Sequence, residues 1–195
     1  MLLSTGTMLE IGFLSAFVIC GFAVLNLKQI RKLKELGLHF SGSLALYSLF
    51  LPSIKGIYEG IRFNVHAGPR FMEVPGTLVI RLLLPPLVEF RIFRKSMMGK
   101  AVSKAMLIRG VKTGDALLDA EYAIFAGQAE TLKSFLQPAA ARRGLQTVFG
   151  LGFWMLVADK RGARVEKLAY DRTLDLEPTR IATVLHCLKT MATGG

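Results

Sequence analysis

Residues 11–27 read IGFLSAFVICGFAVLNL, with no charged side chain, and Lys28, Arg31, Lys32 and Lys34 follow directly. A helix rises about 1.5 Å per residue, so about 17–25 mostly apolar residues cross a hydrocarbon core. The stretch meets the lower end of that range, and Met8 and Leu9 extend it. Loops rich in Lys and Arg stay cytoplasmic. The order of apolar run and cations therefore predicts an anchor in the inner membrane, with the N-terminus outside and the chain after Lys28 in the cytoplasm. A cleaved signal peptide needs a positive segment before its apolar core. Met1–Thr7 carries no Lys or Arg, which favours an uncleaved anchor.

Outward from the anchor, 195 residues leave room for one ordinary domain. A mean hydropathy of +0.43 fits one span plus several apolar strands. The net charge of +11 is unevenly spread. Residues 1–112 hold fifteen Lys/Arg against five Asp/Glu, and residues 113–195 hold ten against nine. One cluster is Lys28–Lys34. The other is Arg91, Arg94, Lys95, Lys100, Lys104, Arg109 and Lys112, a run without an acid. Cations near a bilayer gain about 1 kcal/mol each from anionic lipid. A membrane-surface role is therefore expected for Lys28, Arg31, Lys32, Lys34, Arg94, Lys95, Lys100, Lys104 and Arg109. An ordinary solvated face is the bland alternative.

The predicted organisation is an anchor with a basic flank at 1–36, an apolar connector or interfacial segment at 37–55, and an α+β domain at 56–195. Gly37 is expected to end the first helix. Leu38–Ile54 is uncharged, but His39, four serines, Gly42 and Pro52 make it a poor span. A second span there would put the domain outside the cytoplasm. Ile57–Val65, Phe71–Leu84 and Leu87–Phe93 read as strands close enough for an antiparallel meander. Residues 97–107 carry a short amphipathic pattern. Asp115 suits an N-cap for a turn over Ala116–Asp119. A strand at Glu121–Phe125, helices at Ala129–Leu136 and Ala139–Val148, and a hairpin turning at Asp159–Gly162 follow. A last helix opens at Pro178, with Ile181, Val184, Leu185 and Leu188 on one face. The fold class is α+β: a mostly antiparallel sheet packed by two or three helices, behind an N-terminal transmembrane helix.

Gly56, Tyr58, Gly60 and Arg62 in GIYEGIRFNV, and Thr113, Gly114, Asp115 and Asp119 in TGDALLDAEYAIF, form two motifs. Together they resemble a group of largely uncharacterised bacterial membrane-anchored proteins with a G-x-Y-x-G strand and a T-G-D-x-x-F-D turn. Leu118 stands where that group has an aromatic. The resemblance spans residues 50–190. It implies membrane anchoring and a small α+β domain, and it brings no activity.

The sequence holds no G-x-S-x-G, P-loop or G-x-G-x-x-G. His39, His66 and His186 have no metal-ligand spacing, and neither do Cys20 and Cys187. No metal or cofactor is expected. Gly114, Asp115 and Asp119 read as a structural turn, although two carboxylates four apart are able to hold a cation. Phe71, Phe90, Phe93, Phe125 and Phe153 sit among aliphatic residues and read as core, so nucleic acid is not expected as a partner. The favoured reading is a non-enzymatic, single-pass protein binding a protein partner or anionic lipid. One rival is a membrane-proximal enzyme using Asp115, Asp119 or His66. The other is a small subunit of a larger membrane complex.

Overall fold

A computed structural model describes residues 27–45, 52–68, 75–98 and 110–193. The order of its strands follows from where the chain turns. β1 (Ser43–Ala45), β2 (Ser53–Tyr58), β3 (Ile61–Gly68) and β4 (Thr77–Leu82) run as a meander. β5 (Phe90–Arg94), β6 (Tyr122–Ala126), β7 (Met155–Asp159) and β8 (Gly162–Leu168) complete an eight-stranded sheet. Its order is β1-β2-β3-β4-β8-β7-β5-β6, with every pair antiparallel.

Side chains alternate faces along a strand, and the register sorts them into rows. One row crosses seven strands: Ile54, Val65, Ile80, Val165, Leu156, Ile92 and Ile124. All are at most 1% exposed. The next row on the opposite face reads Lys55, Asn64, Arg81, Arg164, Val157, Arg91 and Phe125. The first face is the core; the second is the more open face, although Val157 at its centre is only 4% exposed.

Helices pack on the core face. They are α1 (27–39), α3 (Ala129–Leu136), α4 (Ala139–Gly150) and α5 (Pro178–Thr193), with a short α2 (Ala116–Glu121) leading into β6. Phe40, just past α1, meets the Phe63 ring at 5.3 Å; Phe135 of α3 meets Phe90 at 5.4 Å; Phe149 of α4 meets Tyr122 at 4.6 Å. α5 lies against β4, β8 and α4. The α+β expectation with an antiparallel sheet therefore holds, with four helices on the core instead of two or three.

Several boundaries move. Gly37 does not stop α1. It lies inside the helix, where a Cβ would come within 2.9 Å of Ile54 Cδ1, so it serves close approach. The helix ends at His39; Ser41, with φ 49°, turns the chain, and Gly42 N–H closes back onto Gly37 O at 2.7 Å. This left-handed cap satisfies a helix-end carbonyl. The stretch 37–55 is not a separate connector, because it carries β1 and the start of β2, so the domain begins before residue 56. Its described parts contribute a helix end, a turn and strands, and no spanning helix. Ile57–Val65 is not one strand. Glu59 and Gly60, with φ 48° and 79°, turn it into the β2–β3 hairpin, as a two-residue loop with both φ positive requires. β5 does not extend the meander, since β8 and β7 lie between it and β4.

Among the described residues no helix is long and apolar enough to cross a membrane. Residues 11–26 of the expected anchor lie outside them, as does the expected 97–107 helix apart from Met97 and Met98, where the 3-10 turn Lys95–Met97 ends and Met98 is extended. β1 has three residues, and at the other edge Val111 N–H donates to Ile124 O of β6 at 2.7 Å.

Candidate functional site

The cations behind the apolar N-terminal run sit on a helix that is part of the core. Gln29, Leu33 and Leu36 of α1 are at most 1% exposed, while Lys28, Arg31 and Lys34 on its other side are exposed. The Gln29 side-chain amide donates to Ala67 O in β3. Lys32 Nζ bonds Glu35 at 2.9 Å, and Arg31 Nε lies 3.7 Å from the same carboxylate. The Lys32 hydrogen bond is the main cause holding the Glu35 carboxyl below its ordinary range. α1 starts beside Ala67 and ends beside Phe63, so it runs antiparallel to β3 along the strands.

That start marks one end of the sheet. Ala67 pairs with Leu78 and Leu78 with Lys167. Trp154 N–H donates to Glu166 O at 2.9 Å, and Arg94 N–H donates to Trp154 O at 2.8 Å. Arg94 in turn pairs with Tyr122. Arg94 and Lys95 thus lie at the same end of the sheet as the start of α1. Both are half-buried and engaged: Arg94 Nη1 donates to Phe149 O at 3.3 Å, and Lys95 Nζ to Asp119 O at 2.5 Å. Lys112 is exposed, and Arg91 is exposed on the open face. Lys100, Lys104 and Arg109 lie outside the described residues.

The Thr113–Asp119 turn is closed by its own carboxylates. Asp115 Oδ1 accepts from Leu117 N–H and Leu118 N–H at 3.0 and 3.1 Å, capping α2. Asp119 Oδ1 accepts from the Thr113 N–H and hydroxyl, both at 2.9 Å, and Oδ2 from Gly114 N–H at 3.2 Å. Burial pushes the Asp119 carboxyl up, but these hydrogen bonds, with Lys112 nearby, outweigh it and leave it below its ordinary value. Gly114, at φ 85°, makes the bend. Arg142 Nη1 lies 3.7 Å from Asp115 Oδ2 across a shallow cleft of about 540 Å³. Among the described residues no three His, Cys, Asp or Glu side chains are grouped to hold a metal.

His66 lies elsewhere. It faces the open side of β3, opposite Ser53 and Val79. Burial first, then Arg81 and Lys55, lower its pKa from the ordinary histidine value. Five strand spacings separate β3 from β6, the strand α2 leads into. At about 4.8 Å each that is about 24 Å, so His66 shares no pocket with Asp115 and Asp119. His39 and His186 are exposed, and the Cys187 thiol is buried, which raises its pKa.

The sequence reading missed a buried ionic cluster. Asp175 is 3% exposed; its Oδ1 lies 2.8 Å from Lys167 Nζ and 3.2 Å from Arg180 Nε, and its Oδ2 accepts from Asp171 N–H at 2.8 Å. Lys167 Nζ also donates to Leu151 O at 2.9 Å. The cluster joins β8, the end of α4 and the start of α5. The only local signal was Asp171, which caps its own turn by accepting from Thr173 and Leu174 N–H groups.

On the open face, Arg81 of β4 and Arg164 of β8 are direct cross-strand partners. Both are half-buried, neither forms an ion pair within the described residues, and Arg164 Nε is buried with no hydrogen-bond partner there. No family model, curated protein or solved structure matches the chain.

Proposed function

We propose that this protein is a membrane-tethered, non-enzymatic interaction protein of the inner membrane. Ile11–Leu27 forms its single span, its N-terminus is outside and its α+β domain is cytoplasmic. The observation that carries this reading is the seating of α1. The helix that follows the apolar run is buried in the domain through Gln29, Leu33 and Leu36 and turns Lys28, Arg31 and Lys34 outward. A domain joined this way is held against the bilayer without a slack linker. The sheet end beside the start of α1 also carries Arg94, Lys95 and Lys112, which supports contact with anionic lipid on that side. The separation of His66 from Asp115 and Asp119 weighs against the enzyme reading.

A reporter fused after Gly195 is expected to be active only in the cytoplasm, and the protein to stay in the membrane fraction after alkaline extraction. Neutralising Lys28, Arg31, Lys32 and Lys34 together weakens the topological preference. A periplasmic C-terminus, or release by alkali, overturns the reading.

A further inference from the structure

We propose that the open face of the sheet carries a phosphate-binding site centred on Arg81 and Arg164, with Arg62 and Asn64 at its side. This goes beyond the membrane reading and does not rest on it. The two arginines occupy directly opposed positions on β4 and β8, and like charges so placed oppose sheet pairing. A fold that keeps them there without a carboxylate partner leaves two planar guanidinium groups on neighbouring strands of one face. Among the described strand residues, the acids on this face are Glu166, opposite Val79 and Met155, and Asp159, which accepts from Arg161 N–H. Neither pairs with Arg81 or Arg164 within the described residues. The buried, unpartnered Arg164 Nε is a donor without an acceptor. Burial and the charges of Arg81 and Lys55 disfavour protonated His66 beside them, a sign of a locally positive field.

The chemistry selects phosphate over carboxylate. One arginine fork satisfies a carboxylate, whereas a phosphate monoester offers three acceptor oxygens and accommodates two forks at once. A cleft of about 430 Å³ walled by Gly42, Lys55, Ile57, Arg62 and Asn64 reaches the pair only through Asn64, the cross-strand partner of Arg81, and gives room for the group esterified to the phosphate. The phosphate belongs either to a small phosphorylated molecule or to a phospholipid headgroup.

The full chain in detergent or nanodiscs is titrated by calorimetry with inorganic phosphate and with glycerol 3-phosphate, and by flotation with vesicles containing phosphatidic acid. Saturable binding of the soluble probes in the about 1 µM to 1 mM range assigns a small phosphorylated ligand. Binding to the vesicles alone, lost on Arg81→Gln, assigns a headgroup. In either case Arg81→Gln and Arg164→Gln each weaken binding by about tenfold or more, while the unfolding midpoint is held or raised. Replacement by Lys restores only part, because a point charge lacks the fork. Equal affinity for acetate, no binding to any probe, or binding indifferent to both glutamine variants overturns the site.

Discussion

The two faces of one sheet treat charge in opposite ways. On the core face, Ala163 and Val165 of β8 continue to Lys167, whose ammonium reaches the buried Asp175 and Leu151 O. On the open face the same strand presents Arg164 beside Arg81, and neither has an ionic partner within the described residues. A buried charge is costly unless paired and hydrogen-bonded, so Lys167 is part of the architecture. Arg81 and Arg164 are half-buried and unpaired among the described residues, and the Arg164 Nε donor is left unsatisfied there. Position on the pleat, not residue type, therefore separates charges that hold the fold from charges free to meet something else.

The largest effect that tests this difference is at Asp175. Asp175→Asn leaves Lys167 and Arg180 facing each other without a counter-charge and is expected to cost about 3–5 kcal/mol in denaturant unfolding. A loss near zero, as for surface pairs, would erase the contrast. Ile80→Ala, in the centre of the apolar row, is expected to cost about 2–5 kcal/mol through lost transfer energy and a cavity. Asp115→Ala is smaller, about 0.5–2 kcal/mol, whereas Asp115→Asn, which still caps, is close to neutral. An Asn variant as damaging as Ala would mean that the charge matters beyond the cap. On the open face the sign reverses: Arg81→Gln relieves like-charge opposition and is expected to gain about 0.2–1 kcal/mol.

The smallest effect is read at His66. Its folded pKa lies below the unfolded value, so the unfolded chain binds the extra proton more readily as pH falls. Its contribution to stability is thus intact above about pH 6.5 and declines as pH drops through the folded value. Arg81→Gln is expected to move the His66 titration midpoint upward, as followed by the imidazole C–H resonances. A downward or absent shift would mean that Arg81 does not face it.

Elements with local signals were legible in the sequence. Pro138 and Pro178 mark helix starts, Ala129–Leu136 carries its apolar face in its spacing, and Asp159–Gly162 turns between two apolar runs. Asp115 as a cap follows from its carboxylate standing just ahead of Leu117 and Leu118. What escaped depends on partners distant in sequence. Glu59-Gly60 is a weak turn signal inside a run with strand composition. Phe90 and Phe93 differ by three positions and so face opposite sides of β5, although composition alone made both core. Gln29 carries no signal among its neighbours that its amide donates to Ala67 O, thirty-eight positions on. The Arg81–Arg164 pairing joins residues eighty-three positions apart, and no window on the sequence contains both.

The edges of the sheet limit how this chain associates. An unpaired strand edge invites another chain to add a strand through backbone hydrogen bonds. Here β1 offers only three residues, and Val111 already takes the Ile124 carbonyl on the outer side of β6. Among the described residues, neither rim is a long free template. Polymerisation by edge-to-edge templating is thereby discouraged, even at the high local concentration of a crowded surface. Recognition falls to side chains, which are selective where a bare backbone is promiscuous.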